Sequence, residues 1–397
     1  MNNSVGYARP AARPNRVVLG TDGIGADMLE EARLAYVRLR EDDVLASPDT
    51  VWGWLDNGYS LFPEARQDRV TWNYDHADSA WHVAFTPGVR ALQVVADGEV
   101  LLKIRRTALC GSDVKLWRKG TTLVPGHEIF GVVQQPGHAL HGQRCVVYIP
   151  VHCGHCGACR AGLTQCCETE STLMGWNRDG GYAEYVAVPV QCLLQVPDDI
   201  DDDLAPLLLD TTGTAAHGLR LVQRLLPAPA LARVLITGAG PVGLGGLIAL
   251  RDAGFTDITI ADPREARQQL ALSLSASAVL PVGELSQRFD LVLECSGQHA
   301  ARDQAMHIVA PRGVVLWVGE NDDPWLVQET KAVRRKDFFL VRSFYFPKAE
   351  HELNIGLLRR HAASYRRLVD QVFDVDELPA EFARFVRGER IKPLMKA

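Results

Sequence analysis

One stretch constrains the fold more than any other. The apolar run VLIT leads into Gly238-Ala239-Gly240-Pro241-Val242-Gly243, and the small-residue apolar run LGGLIAL follows. This is a GxGxxG loop with a strand pattern before it and a helix pattern after it. The first glycine makes the tight turn, the second lets a pyrophosphate approach the backbone, and the third packs helix on strand. The helix N-terminus then offers free N–H groups to phosphate oxygens. Asp262 ends the next apolar run, nineteen residues beyond Gly243. A carboxylate there accepts from ribose hydroxyls and repels a 2′-phosphate, which predicts NAD in preference to NADP. Arg264, two residues on, is the one nearby feature that favours the phosphorylated cofactor.

The flanking pattern agrees with that loop. A long helical run, 204–226, precedes the strands RVLITG, DITIAD, FDLVLEC and GVVLWVG, and helical segments separate them. Apolar strands alternating with helices imply a parallel sheet covered on both faces. Between about residues 81 and 200 the reading changes to short strands broken by Gly and Pro: WHVAF, ALQVVA, EVLLKIRR, CVVYIP, YAEYVAV and CLLQVP. That predicts an irregular, mostly β domain. Residues 1–80 hold one amphipathic helix, at about 25–40, and the tail after 345 returns to a mixed pattern.

With 397 residues the chain has room for two or three domains. A net charge of −6 argues against nucleic acid or an anionic membrane surface as the main partner. No run of about eighteen apolar residues is present, and MNNSVGYARP lacks the apolar core of a secretion signal. The expectation is a cytoplasmic protein without a membrane partner.

Five of the nine cysteines fall inside fifteen residues. Cys153, Cys156 and Cys159 are spaced CxxCxxC, and Cys167 follows after seven residues, with Cys166 beside it as an alternative. Four thiolates on a short lobe can close a tetrahedral zinc with no open position, a structural site. An iron–sulfur cluster uses the same donors. A second constellation is sparser: CGSD at 110–113 and GHE at 126–128. Cys110 and His127 make half a zinc shell, and Asp210 in LLLDTTGTAAHG is the best third ligand, leaving one position for water or substrate. Singly, each of the three reads as ordinary: a buried small residue, a core histidine, a helix cap. Together they outweigh those readings.

CGSD, GHE, the cysteine lobe, DGGYAEYV, GAGPVG and LECSG stand in the order found in zinc-dependent medium-chain dehydrogenases, which residues 100–397 resemble. The resemblance implies an α/β protein: a GroES-like, mostly-β catalytic domain split around a Rossmann domain with a doubly wound parallel sheet. It divides the chain into an extension (1–80), a first catalytic part (81–215), the Rossmann domain (216–345) and a C-terminal catalytic part (346–397). It further implies two zinc ions and NAD, an alcohol or ketone substrate, and a homo-oligomer, dimer or tetramer. Cys110, His127 and Asp210 look like the catalytic zinc ligands. Ser112 matches the hydroxyl that starts a proton relay, Asp113 the carboxylate on the zinc histidine, and Glu128 the glutamate beside the metal. An acidic third ligand is similar to the polyol, threonine and formaldehyde branches.

The chain departs from that pattern in two ways. Only sixteen residues separate Cys110 from His127, a trimmed loop that leaves substrate class open; Trp117, Trp176 and Phe344 are candidate pocket walls. The 109 residues before Cys110 exceed what the family needs. Within them, VVLGTDGIGADMLEEARLAYVRLRE resembles the C-terminal end of a metal-dependent amidohydrolase, whose turn aspartate would be Asp22. With no HxH pair upstream, the segment reads as non-catalytic. The leading expectation is therefore alcohol–ketone interconversion, and the rival a fusion-derived scaffold that binds NAD and zinc without turnover.

Overall fold

The computed structural model describes Thr50, Ala96 and residues 98–397, except 122, 171, 282, 284–286 and 328–329. The expected helix near 25–40, Asp22, and the strands WHVAF and ALQVVA (apart from Ala96) lie outside the described residues. The mostly-β part and the parallel sheet expected from the change of pattern near residue 205 are both present.

The first sheet begins with β1, Glu99–Ala108, whose alternation buries Val100, Leu102 and Ile104 and exposes Lys103 and Arg105. β2 (Glu128–Val133), β3 (Arg144–Val147), β4 (Tyr185–Pro189) and β5 (Leu193–Gln195) add to it by antiparallel pairing. β2 was not legible as a strand, because EIFGVV has almost no polar alternation; nearly all of it is buried. Two strands from the far end of the chain, β12 (Val372–Asp374) and β13 (Leu394–Lys396), complete a seven-stranded sheet, with β13 antiparallel to β1.

The second sheet has six strands, all parallel, in the order β11-β10-β9-β6-β7-β8. These are β6 (Arg233–Thr237), β7 (Asp257–Ala261), β8 (Ala278–Leu280), β9 (Phe289–Glu294), β10 (Val309–Trp317) and β11 (Phe339–Arg342). The chain runs outward from β6 through β8, then returns to β9 and runs the other way. That reversal between β6 and β9 opens the crevice in which such sheets bind ligands. The chain is thus an α/β protein in which a mostly-β domain adjoins a doubly wound parallel sheet.

Between the sheets runs the segment expected as one helix over 204–226. It is instead four pieces: a 3-10 turn Ala205–Leu208, a π turn Leu209–Thr214, helix α1 (Ala215–Val222) and a 3-10 turn Gln223–Leu225. The widened turn holds an extra residue, and Asp210 stands on it. It also packs hard against the helix after the glycine loop, α2 (Pro241–Asp252): a Cβ at Gly245 would lie 1.8 Å from the Thr211 carbonyl oxygen. One apolar core runs without a break through both sheets, from Leu102 and Phe130 through Leu208 to Ile236 and Leu247.

Candidate metal centre and cofactor crevice

The loop after β6 has the shape its glycines predict. Gly238 turns with φ +91, a conformation that favours glycine, and a Cβ on Gly243 would lie 1.9 Å from the Gly238 carbonyl oxygen. Gly240 is extended and caps α2, Pro241 fills its first turn, and Val242 follows it into the helix. Asp262 is buried at the end of β7. Its Oδ2 accepts from the Ala239 N–H at 2.8 Å and its Oδ1 from the Arg264 N–H at 2.9 Å, so the carboxylate braces the loop. The Arg264 guanidinium turns away toward the C-terminal helix α6 (Leu378–Arg387), lying against Gly388 and donating to the Arg387 carbonyl at 3.4 Å.

The cysteine lobe assembles as four sulfurs. Those of Cys153, Cys156, Cys159 and Cys167 lie within 4.8 Å of one another, while Cys166 stands exposed outside the group. Backbone N–H groups converge on them: His155 and Cys156 on Cys153, Cys159 and Glu168 on Cys156, Glu170 on Cys167. Hydrogen bonds from Thr169 and His155 draw the Cys153 thiol down to about 5, whereas burial pushes Cys159 up to about 12. A cluster that sheds some protons and keeps others is one a cation would complete, because metal binding displaces thiol protons. An all-sulfur, closed set fits a structural zinc.

The second cluster is built where strands end. Cys110 follows β1, His127 precedes β2, and the pairing of Ala108 with Glu128 brings them side by side. The π turn supplies Asp210. Ligand atoms of Cys110, His127, Glu128 and Asp210 lie within 4.8 Å of one another. Asp210 Oδ2 stands 3.1 Å from His127 Nε2 and 3.5 Å from Cys110 Sγ, and Thr214 steadies its other oxygen at 3.3 Å. Ser112 donates to Cys110 Sγ at 3.3 Å. Asp113, fully buried, holds His127 Nδ1 at 3.0 Å, which turns Nε2 toward the cluster. Burial opposes a charged His127, yet Asp113 beside it lifts the imidazole well above its ordinary value. Burial likewise raises the Cys110 thiol. A sulfur, a nitrogen and a carboxylate oxygen, with the histidine braced behind, are a donor set that fits zinc.

Glu128 is more than a neighbour. It lies buried against Lys392, which also donates to the Leu109 carbonyl at 3.3 Å, and its Oε2 has no hydrogen-bond partner. Burial, partly offset by Lys392, pushes its carboxyl up to about 7. Three contributors had not been singled out from sequence. Lys392 sits in an unremarkable tail, ERIKPLMKA. Tyr182 lies inside DGGYAEYV, and its hydroxyl donates to Asp113 Oδ2 at 2.6 Å. Lys115 approaches the Trp176 ring at 5.8 Å and pairs with Asp322 at 2.8 Å. Of the three candidate pocket walls, Trp176 stands 5.9 Å from the His127 ring, Trp117 stacks instead on Phe382 at 4.8 Å, and Phe344 is exposed.

Comparison with known proteins places this geometry among relatives. The alcohol dehydrogenase GroES-like domain family matches residues 96–198. The L-threonine 3-dehydrogenase of Shewanella halifaxensis (strain HAW-EB4) is 34% identical over 325 residues, 76% of this chain and 93% of the relative. Among solved structures, alcohol dehydrogenase TADH from Thermus sp. ATN1 superposes with a TM-score of 0.70 at 26% identity, covering 78% of this chain and 95% of that one. A short chain alcohol dehydrogenase from E. coli CFT073, complexed with NADH, has the same fold: TM-score 0.70, 23% identity, 78% and 94% covered.

Proposed function

The chain belongs to the zinc-type medium-chain dehydrogenases, and from that premise we propose that it oxidises a secondary alcohol, polyol or other hydroxyl-bearing metabolite with NAD, using one catalytic and one structural zinc. The observation that carries this reading is the convergence of Cys110, His127 and Asp210 on the π turn that abuts the cofactor helix. When bound, zinc supplies a Lewis acid for the substrate oxygen and nicotinamide the hydride acceptor. Everything else falls to the protein. Cys110, His127 and Asp210 hold the metal, and Asp113 fixes the tautomer of His127. Ser112, within reach of the same cluster, takes the hydroxyl proton outward. The loop 238–243 seats the pyrophosphate on the N-terminus of α2, and Asp262 disfavours a 2′-phosphate.

The return of β12 and β13 to the first sheet supports a catalytic domain formed by 81–215 and 346–397 around a cofactor domain at 216–345. The edge strand β11 exposes Phe339 and Leu340, which supports a homo-oligomer. No described helix is long and apolar enough to cross a membrane, in keeping with a cytoplasmic enzyme.

Metal analysis and a panel of alcohols and polyols, followed by NAD reduction, test the reading. About two zinc ions per chain and turnover are expected. Cys110→Ala and His127→Ala should each abolish turnover while leaving NAD binding intact. One zinc confined to the cysteine lobe, with no turnover, would instead make the chain a scaffold.

A further inference from the structure

Asp113 carries more than its histidine. Its Oδ1 faces His127 Nδ1 at 3.0 Å, and its Oδ2 receives the Tyr182 hydroxyl at 2.6 Å and the Cys110 N–H at 3.3 Å. The Tyr182 bond is the short one, as expected of a hydroxyl donating to a carboxylate. Tyr182 is itself tied down at both ends. Its segment is zipped to the extended stretch that leads into β2: Gly180 N–H donates to the Val124 carbonyl at 2.6 Å, Gly181 to Gly126 at 2.7 Å, and Tyr182 to Pro125 at 3.0 Å. The Thr107 hydroxyl closes on the Gly181 carbonyl at 2.6 Å. The ring lies so close to Gly126 that a Cβ there would come within 2.7 Å of it, and it meets Phe382 of α6 edge-on at 6.3 Å.

We propose that Tyr182 is a positioning residue of the metal centre: by donating to Asp113 it fixes the carboxylate that aims His127 at Cys110 and Asp210. The hydroxyl, not the ring alone, does this. A phenylalanine would preserve the contacts with Gly126 and Phe382 but leave Asp113 Oδ2 with only the longer Cys110 amide bond, free to swing with the imidazole. Burial and the adjacent Asp113 raise the Tyr182 hydroxyl well above its ordinary value, so it stays a proton donor across the working pH range. The chain Tyr182–Asp113–His127 therefore joins three segments distant in sequence to one metal-facing nitrogen. This inference rests on the reading of the Cys110 cluster as a zinc site.

Zinc release from the holoenzyme to an excess of a colorimetric chelator tests it, with Cys110→Ala identifying which kinetic phase belongs to the cluster. Tyr182→Phe is expected to speed release from the cluster about tenfold, the low end for partners of a metal-bound histidine, and to lower kcat. Release from the cysteine lobe and NADH affinity should stay as in the wild type. In an Asp113→Asn background, Tyr182→Phe should add less than about twofold, because its effect passes through that carboxylate. Phe382→Leu, which loosens the ring's packing but spares the hydroxyl bond, should leave cluster release unchanged. Wild-type release and kcat in Tyr182→Phe would overturn the proposal. So would an equal effect from Phe382→Leu, faster release from both sites together, or an undiminished effect in the Asp113→Asn background. A wild-type protein holding zinc only in the cysteine lobe would sink the cluster reading and this role with it, a result visible before any substitution is made.

Discussion

At the scale of single residues, the side chains that the structure gathers into the candidate sites were legible where spacing is local and obscure where it is not. CxxCxxC, CGSD and the glycine loop announce themselves because their members must sit within a few bonds of one another. Lys392 gave no such signal: it reaches Glu128 from 264 positions away, and only the fold brings them together. Asp262, proposed as the selector of NAD, also has a structural role that its spacing did not suggest. Both its oxygens already brace the loop through the Ala239 and Arg264 amides. Asp262→Ser, which keeps an acceptor but removes the charge, should therefore cost affinity for NAD and also reduce discrimination against NADP by roughly tenfold, about 1.4 kcal/mol. The ratio of kcat/KM for the two cofactors measures it; an unchanged ratio would remove Asp262 as the selector.

At the scale of elements, four of the six parallel strands, β6, β7, β9 and β10, were easy to read because buried β-branched runs have few alternatives, whereas the short edge strands β8 and β11 were not expected. The run 204–226 is helical almost throughout, as expected, but not of one pitch: its apolar residues satisfy a helical period on average, and averages hide a local change. What forces the change is packing. The π turn must send Asp210 toward Cys110 while its backbone lies against α2, and Gly245 is the contact that allows the approach. Gly245→Ala would place a methyl on the Thr211 carbonyl. The expected cost is about 1–3 kcal/mol, with zinc lost from the Cys110 cluster before the cysteine lobe, measured by melting temperature and by metal content after dialysis. A milder case is the far end of the same helix. There Asp252 accepts from Arg360 at 2.9 and 2.8 Å and from His361 at 2.9 Å, which joins α2 to α5 (His351–Arg360). Those bonds hold its carboxyl down at about 2. A depressed folded-state value stabilises above the unfolded value of about 4 and is lost as pH falls toward 2. Because the partners are largely exposed, Asp252→Asn should cost at most about 1 kcal/mol at pH 7. The difference in melting temperature from the wild type should shrink between pH 4 and pH 2.

At the scale of the whole molecule, the change of pattern was enough to expect a mostly-β domain beside a parallel sheet, yet not how the chain closes them. The C-terminal strands β12 and β13 went unread because three-residue strands carry no period; they are strands only because β1 offers a partner.

The edge of the second sheet poses the converse question, a strand whose outer side has no partner among the described residues. β11 pairs with β10 alone. Its Phe339 and Leu340 are 41% and 43% exposed. An apolar edge of this kind invites pairing with another chain unless charge or a covering segment blocks it. Here Arg342 is the only charge on the strand, and its guanidinium turns back to the Trp317 and Gly319 carbonyls at 3.2 and 3.3 Å, leaving the apolar pair unguarded. A second copy of β11, related by a two-fold axis, would extend the six-stranded sheet across both chains. Leu340→Lys, placing an unpaired ammonium at the centre of that edge, should then convert the assembly toward monomers while leaving the Cys110 cluster and its zinc in place. Light scattering across a dilution series separates the outcomes: a mass that falls to 43.7 kDa only in the variant supports the edge as the interface. An oligomer indifferent to Leu340→Lys would place the interface elsewhere.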